Sequence, residues 1–199
     1  TTARLLIGLL STNPEIQVKI KGDSSLNKRN MSKLIELMSE FGATFLPKDK
    51  STLPLTLISS EIPIGVNYKA GVSAQLKSAV MLAALNANGI TNIIEEEESR
   101  NHTENMLQQT SKILKVKKNK KKHNHIKVYG KGYLDALKIN VGGDPSSAAF
   151  FTALTLLTPN ASLKVKQVGL NPRRIGFYKL LKKHGAKIKF KNIKKINQE

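Results

Sequence analysis

The sequence of 199 residues has no cysteine at all. That absence excludes a disulfide framework, a thiolate zinc site and a cysteine nucleophile together. No apolar run reaches the roughly 18 residues needed to span a bilayer, and no signal peptide opens the chain. Acidic residues are scarce, 14 against 33 basic ones, which leaves a net charge of +19. Arginine is scarce too: Arg4, Arg29, Arg100, Arg173 and Arg174 are the whole set, and every other basic residue is lysine. The first residue is Thr1 rather than Met. Because Thr1–Leu10 reads as the middle of something, a piece of a longer protein is expected.

What is present is a globular composition, with 40% hydrophobic and 24% charged residues. A strong positive charge ordinarily points to anionic partners, nucleic acid first. Phosphate and base readers favour arginine, whose planar fork binds bidentately. Here lysine, asparagine and isoleucine dominate together, the signature of an AT-biased coding sequence. We therefore read the lysines as a solvated coat. A basic nucleic-acid-binding module stays open as the alternative from another class. The densest charge run, Lys115–His125, lies between Ile113-Leu114 and the alternating stretch Ile126–Tyr129. It reads as a hairpin tip, because no aromatic residues interleave to form a stacking platform.

Three segments share one grammar. Ala3–Phe45 gives an apolar helix, a strand, an arginine-bearing turn, an amphipathic helix and another strand start. Ser73–Val116 repeats that order, and so does Ser146–Phe190, with strands expected at Ser162–Val168 and Lys187–Phe190. The helix starts recur about every 70 residues, and Arg29, Arg100 and Arg173/Arg174 fall in the same turn of each segment. Leu34, Leu37, Met38 and Phe41 follow the spacing of a helix stripe laid on a sheet. Ser73 and Ser146 suit helix N-caps. The first helix of each segment is apolar almost all round, which predicts burial on most sides.

Several turns could carry chemistry. Gly22–Arg29 is a polar turn running into a helix near Met31, where N–H groups and a guanidinium attract anions; a turn with a solvent arginine is the plainer reading. Ser73, Gln75 and the amides of their helix turn suit a phosphate or carboxylate, while Lys77 points either to a ligand or to water. The plainer reading there is a cap followed by a polar rim. Ser99–Glu104 is another turn into a helix, capped by Asn101 or Thr103. His102 reads as structural, since no second metal ligand stands at helical spacing. Gly142–Ser147 lacks the closing Gly-Lys-Ser/Thr of a phosphate-binding P-loop.

In order along the chain, SLNKRNM, VSAQLKSAVMLAALNANGIT, ESRNHTENML, GDPSSAAFFTALTLLTP and LNPRRIGFYKLLKKHGAKI resemble the 5-enolpyruvylshikimate-3-phosphate synthase family (3-phosphoshikimate 1-carboxyvinyltransferases). The resemblance covers nearly the whole chain. It implies an α/β (α+β) enolpyruvyl transferase-like fold, an inside-out α/β barrel of repeated helix–sheet units with buried central helices. By the same resemblance residues 1–141 would be most of one domain, without its first unit, and residues 142–199 the beginning of a second.

The implied reaction moves the carboxyvinyl group of phosphoenolpyruvate onto the 5-hydroxyl of shikimate 3-phosphate and releases phosphate. Arg29 matches the family arginine that holds phosphoenolpyruvate. Ser73, Ala74 (through its backbone) and Gln75 match substrate-binding positions, and Arg100 matches an arginine near the shikimate phosphate in one branch. The family's catalytic Asp would lie beyond Glu199, so no catalytic residue is assigned and the 199 residues alone are expected to be inactive. No metal or organic cofactor, nucleic acid or membrane is implied. The expected partners are the two small-molecule substrates, and the expected setting is a monomer, when full length, in the bacterial cytoplasm, with a plastid as the alternative. The sister enzyme acting on UDP-N-acetylglucosamine in cell-wall synthesis is the nearest competing reading. Gly142-Gly143 departs from the family's Val-Pro, and Arg173 from its Thr.

Overall fold

The computed structural model describes residues 1–110, 112–118 and 123–195. The chain divides into two compact units, one of residues 1–99 and 106–135, the other of residues 100–105 and 136–199.

The first unit opens with α1 (Thr2–Ser11) and β1 (Gln17–Ile20), followed by a single-turn helix α2 (Ser24–Asn27) and by α3 (Ser32–Glu40). Strands β2 (Thr44–Leu46), β3 (Leu55–Ile58) and β4 (Asn67–Ala70) precede α4 (Ala74–Ala84) and β5 (Ile90–Glu95). Helix α5 (His102–Thr110) begins in the second unit and ends in the first, before β6 (Leu114–Lys118) and β7 (Asn124–Tyr129). One sheet has the order β1-β3-β2, antiparallel throughout. The other has the order β4-β5-β7-β6. Its β4–β5 pair is parallel, and α4 is the crossover that a parallel pair requires.

Helices α1, α3 and α4 pack on one another, with α1 and α3 against the first sheet and α4 against the second. The α3 stripe is sealed: Leu34, Leu37, Met38 and Phe41 are all buried. Helix α4 is buried from Lys77 through Met81 and again at Ala83 and Ala84, as its all-round apolar sequence requires. Of the run Lys115–His125 expected as a hairpin tip, Lys115–Lys118 belong to β6 and Asn124-His125 to β7, which pair antiparallel with Lys118 opposite Asn124. Residues 119–122 of that run lie outside the described residues.

The second unit contains α6 (Pro145–Leu157) and α7 (Gly176–Lys183). Here three expectations fail. Ser146 does not cap α6; Asp144 does, accepting from the Ser146 N–H at 3.0 Å, and Pro145 takes the first helical position, where its missing N–H costs nothing. The strands expected at Ser162–Val168 and Lys187–Phe190 do not form. Gln167 adopts a left-handed φ of 53°, which breaks the extended run, and Val168 makes only an isolated bridge to Gly143. Finally, α6 is apolar all round yet Phe150 and Leu157 are 79% and 83% exposed. Within the described second unit no sheet lies over α6, and a helix is buried only where a layer covers it.

Candidate functional site

Two helices set the geometry of the first unit. Helices α1 and α4 run side by side in the same direction, with a constant offset between partners. Arg4 meets Gln75, Gly8 meets Ala79 and Thr12 meets Ala83. The approach at Gly8 is close: a Cβ there would stand 2.5 Å from the Ala79 carbonyl oxygen. Near the far end, the buried Thr12 hydroxyl donates to the Ala83 carbonyl at 2.8 Å. Parallel helices bring both N-termini to one end, where their orphan N–H groups and partial positive charges add.

Arg4 ties that end together. Its Nη1 donates to Gln75 Oε1 at 2.7 Å and its Nη2 to the Asn30 carbonyl at 3.2 Å. Gln75 Nε2 in turn donates to Thr1 Oγ1 at 2.8 Å. A guanidinium only donates, so it fixes which end of the Gln75 amide is oxygen. Asn30 follows Arg29 and accepts the Ser32 N–H at 2.7 Å, shaping the start of α3. A cleft of about 220 Å³ opens beside this junction, lined by Arg4, Leu76 and residues 30–34. The first turns of α1, α3 and α4 therefore meet around one guanidinium.

Ser73 caps α4, its Oγ accepting the Leu76 N–H at 3.4 Å. Accepting leaves the hydroxyl proton free for an anion. Ala74 is the first helical residue, and its N–H belongs to the group without intrahelical partners. Arg29 stands in a turn fixed from behind. Asp23 caps α2 through the Leu26 N–H at 2.7 Å, and Asn27 and Gly22 exchange hydrogen bonds at 2.9 and 3.0 Å. The Arg29 side chain is exposed and has no partner among the described residues. Ser73, Ala74 and Gln75 thus gather on one turn, with Arg29 one residue from the Asn30 carbonyl that Arg4 holds.

Lys77 points neither to a ligand nor to water, against both readings of the sequence. It is fully buried and its Nζ lies 2.5 Å from Glu95 Oε1 at the end of β5. The same oxygen accepts the Ser99 N–H at 2.9 Å and the Ser99 hydroxyl at 2.7 Å, while Oε2 accepts Asn124 Nδ2 at 2.7 Å. Burial alone would raise the carboxyl's pKa. The hydrogen bonds from Lys77, Asn124 and Ser99 outweigh it and hold the value at about 2.

In the second unit Arg100 is exposed on the stretch before α5. Asn101 Oδ1 accepts Asn171 Nδ2 at 3.0 Å, and Asn171 Oδ1 accepts the Arg173 N–H at 2.9 Å. Arg174, which the repeat aligns with Arg29, turns onto its own unit instead: Nη2 pairs with Asp144 and donates to Ser146 Oγ at 2.8 Å. The Ser146 N–H, foremost, holds the exposed Asp144 carboxyl below the ordinary range.

Comparison with known proteins decides the family. The model of EPSP synthase (3-phosphoshikimate 1-carboxyvinyltransferase) matches residues 1–199. The chain belongs to the EPSP synthase family. A 3-phosphoshikimate 1-carboxyvinyltransferase of Parvibaculum lavamentivorans is 41% identical over 193 residues, covering 96% of this chain and 43% of the relative. One of Zymomonas mobilis is 39% identical over 200 residues, covering 100% of this chain and 44% of its own length. An EPSP synthase structure from Acinetobacter baumannii superposes with a TM-score of 0.75 at 36% identity, over 94% of this chain and 41% of that one. The chain thus spans less than half the length of these EPSP synthases, and its fold is the α/β fold of that family.

Arg4 and Thr1 are the site residues that sequence reasoning did not single out. The available signal was one arginine inside an otherwise apolar helix, ARLLIGLL, where charge without a purpose is costly.

Proposed function

We propose that the protein transfers the enolpyruvyl group of phosphoenolpyruvate to the 5-hydroxyl of shikimate 3-phosphate, releasing phosphate, on the route to chorismate and aromatic amino acids. The observation that carries this reading is the α4 first turn, where the Ser73 hydroxyl, the Ala74 N–H and the Gln75 amide stand together under the Arg4 guanidinium. Both substrates are small and carry phosphate and carboxylate groups. Helix N-termini and guanidinium forks suit such anions.

In this reading Ser73 donates to shikimate 3-phosphate and the Ala74 N–H supports the same ligand. Gln75 uses its second amide hydrogen between the two substrates. The exposed fork of Arg29 takes phosphoenolpyruvate, and Arg100 is assigned to the shikimate phosphate by the family resemblance alone. The 5-hydroxyl oxygen bonds to C2 of phosphoenolpyruvate and gives up its proton while a proton adds at C3; the C2–O bond to phosphate then breaks as C3 loses a proton, which releases phosphate and leaves the enol ether. Fixed donors that need not reorganise stabilise the charge that develops in such an addition and elimination. These residues bind and orient; proton transfer is assigned to none of them.

We place most of one domain in residues 1–141 and the beginning of a second in residues 142–199. The protein is proposed to act as a monomer in the bacterial cytosol, a setting that the bacterial origin of the relatives supports. The test is calorimetry on the full-length protein with shikimate 3-phosphate and, separately, UDP-N-acetylglucosamine. Binding of the first alone is expected. Binding of the sugar nucleotide alone would assign the protein to the cell-wall enzyme.

A further inference from the structure

A polar residue in the middle of an apolar surface needs a reason, and Lys77 is such a residue. Helix α4, AQLKSAVMLAA, is apolar on nearly every side and rich in alanine. Burial energy follows area, so it changes little when such a helix turns about its axis or slides along it. Burial area alone therefore specifies the setting of α4 weakly; the Gly8–Ala79 approach and the Thr12–Ala83 hydrogen bond hold it from the α1 side, and a directional contact on the sheet side completes the setting. A leucine at residue 77 would fill similar space at lower desolvation cost, yet it would add no direction.

Lys77 adds one. Its backbone N–H donates to the Ser73 carbonyl at 3.1 Å, the first intrahelical bond of α4. Its side chain runs to Glu95, and Glu95 is itself pinned by Asn124 from the start of β7 and by Ser99 beyond the end of β5. The anchor thus belongs to two strands of the second sheet, while its other end lies four residues from Ser73 and two from Gln75. A single polar group fixing the register of buried helices is the best-attested use of such pairs.

We propose that Lys77 and Glu95 form a positioning pair that sets the rotation and depth of the α4 first turn, and through it the placement of Ser73 and Gln75. This rests on the reading of that turn as substrate-binding. Both side chains are fully buried, so the role assigned to them is positioning and not catalysis.

The test uses the full-length protein, as wild type, Lys77→Met/Glu95→Gln and Glu95→Asp. The double variant removes both charges together; the aspartate keeps the charge but withdraws it by one methylene. Thermal unfolding, shikimate 3-phosphate affinity by calorimetry and hydrogen exchange at residues 73–77 are measured for each. The pair as positioning device predicts a midpoint within about 5 °C of wild type for at least one variant. In that same variant, affinity falls about tenfold or more and exchange quickens at residues 73–77. Wild-type affinity in a variant of normal midpoint overturns the proposal. So does loss of midpoint and affinity in parallel in both variants, which would make the pair part of the core and nothing more. If the wild type itself fails to bind shikimate 3-phosphate, the functional reading fails; exchange at residues 73–77 still decides the pair, since positioning requires it to quicken locally at unchanged midpoint.

Discussion

The Arg4 guanidinium donates to the Gln75 side-chain oxygen at 2.7 Å, across 71 residues of sequence. Both residues stand in the first turn of their helices. The bond therefore records the parallel pairing of α1 and α4 at the end where anions would bind. Removing it should disturb both stability and ligand binding. Arg4→Met and Gln75→Ala, alone and together, form a double-mutant cycle in urea unfolding. A coupling of about 1 kcal/mol is expected for residues in direct contact; strict additivity would mean that the bond contributes nothing.

Arg29 is predicted to separate function from stability. Its side chain is exposed and unpartnered among the described residues, so Arg29→Ala should leave unfolding within about 0.5 kcal/mol of wild type. A charged hydrogen bond to phosphoenolpyruvate would be lost, raising the KM for that substrate by about ten- to a hundredfold. Steady-state kinetics on the full-length protein reads this directly, and an unchanged KM would remove Arg29 from the site.

Gly8→Ala should be costly for its size. The added methyl would meet the Ala79 backbone, which cannot move aside as a side-chain tip can. Forcing α1 from α4 in this way is expected to cost about 1–3 kcal/mol, read as a lower urea midpoint. Ser11→Ala offers a contrast on the same helix. It removes a hydroxyl that only bonds back to the Ile7 carbonyl at 2.7 Å, so a smaller loss is expected.

Acid stability should carry the mark of Glu95. Its carboxyl sits at about 2 in the folded protein against an ordinary 4.5. With the folded value depressed, the unfolded chain takes up the proton first. The stabilisation is therefore complete above about pH 4.5 and is lost as pH falls toward 2, by up to about 3 kcal/mol. Urea unfolding between pH 5 and pH 2 measures the slope. Glu95→Gln should be less stable throughout, because it strands the Lys77 charge, but its slope across that window should be flatter.

Local patterns made much of this fold legible in the sequence. The Leu34–Phe41 stripe declared α3, Ser73 declared the start of α4, and the roughly 70-residue repeat foreshadowed the offset that pairs α1 with α4. Relationships between distant residues were not legible. The role of Arg4 has no local signature because its partner, Gln75, lies on another helix. Lys77 looked ambiguous because nothing nearby announces Glu95 or Asn124. Asp144 displaced Ser146 as a cap because Pro145 favours the first helical position. Strand-like sequence at Ser162–Val168 did not become a strand, since a ladder needs a partner as well as a propensity.

The most direct test of the functional account is a crystal structure of the full-length protein soaked with shikimate 3-phosphate. Anionic oxygens of the ligand within hydrogen-bond distance of Ser73 Oγ and Gln75 Nε2 are predicted, with the Arg4–Gln75 bond retained. A ligand bound elsewhere, leaving the α4 first turn empty, would contradict it.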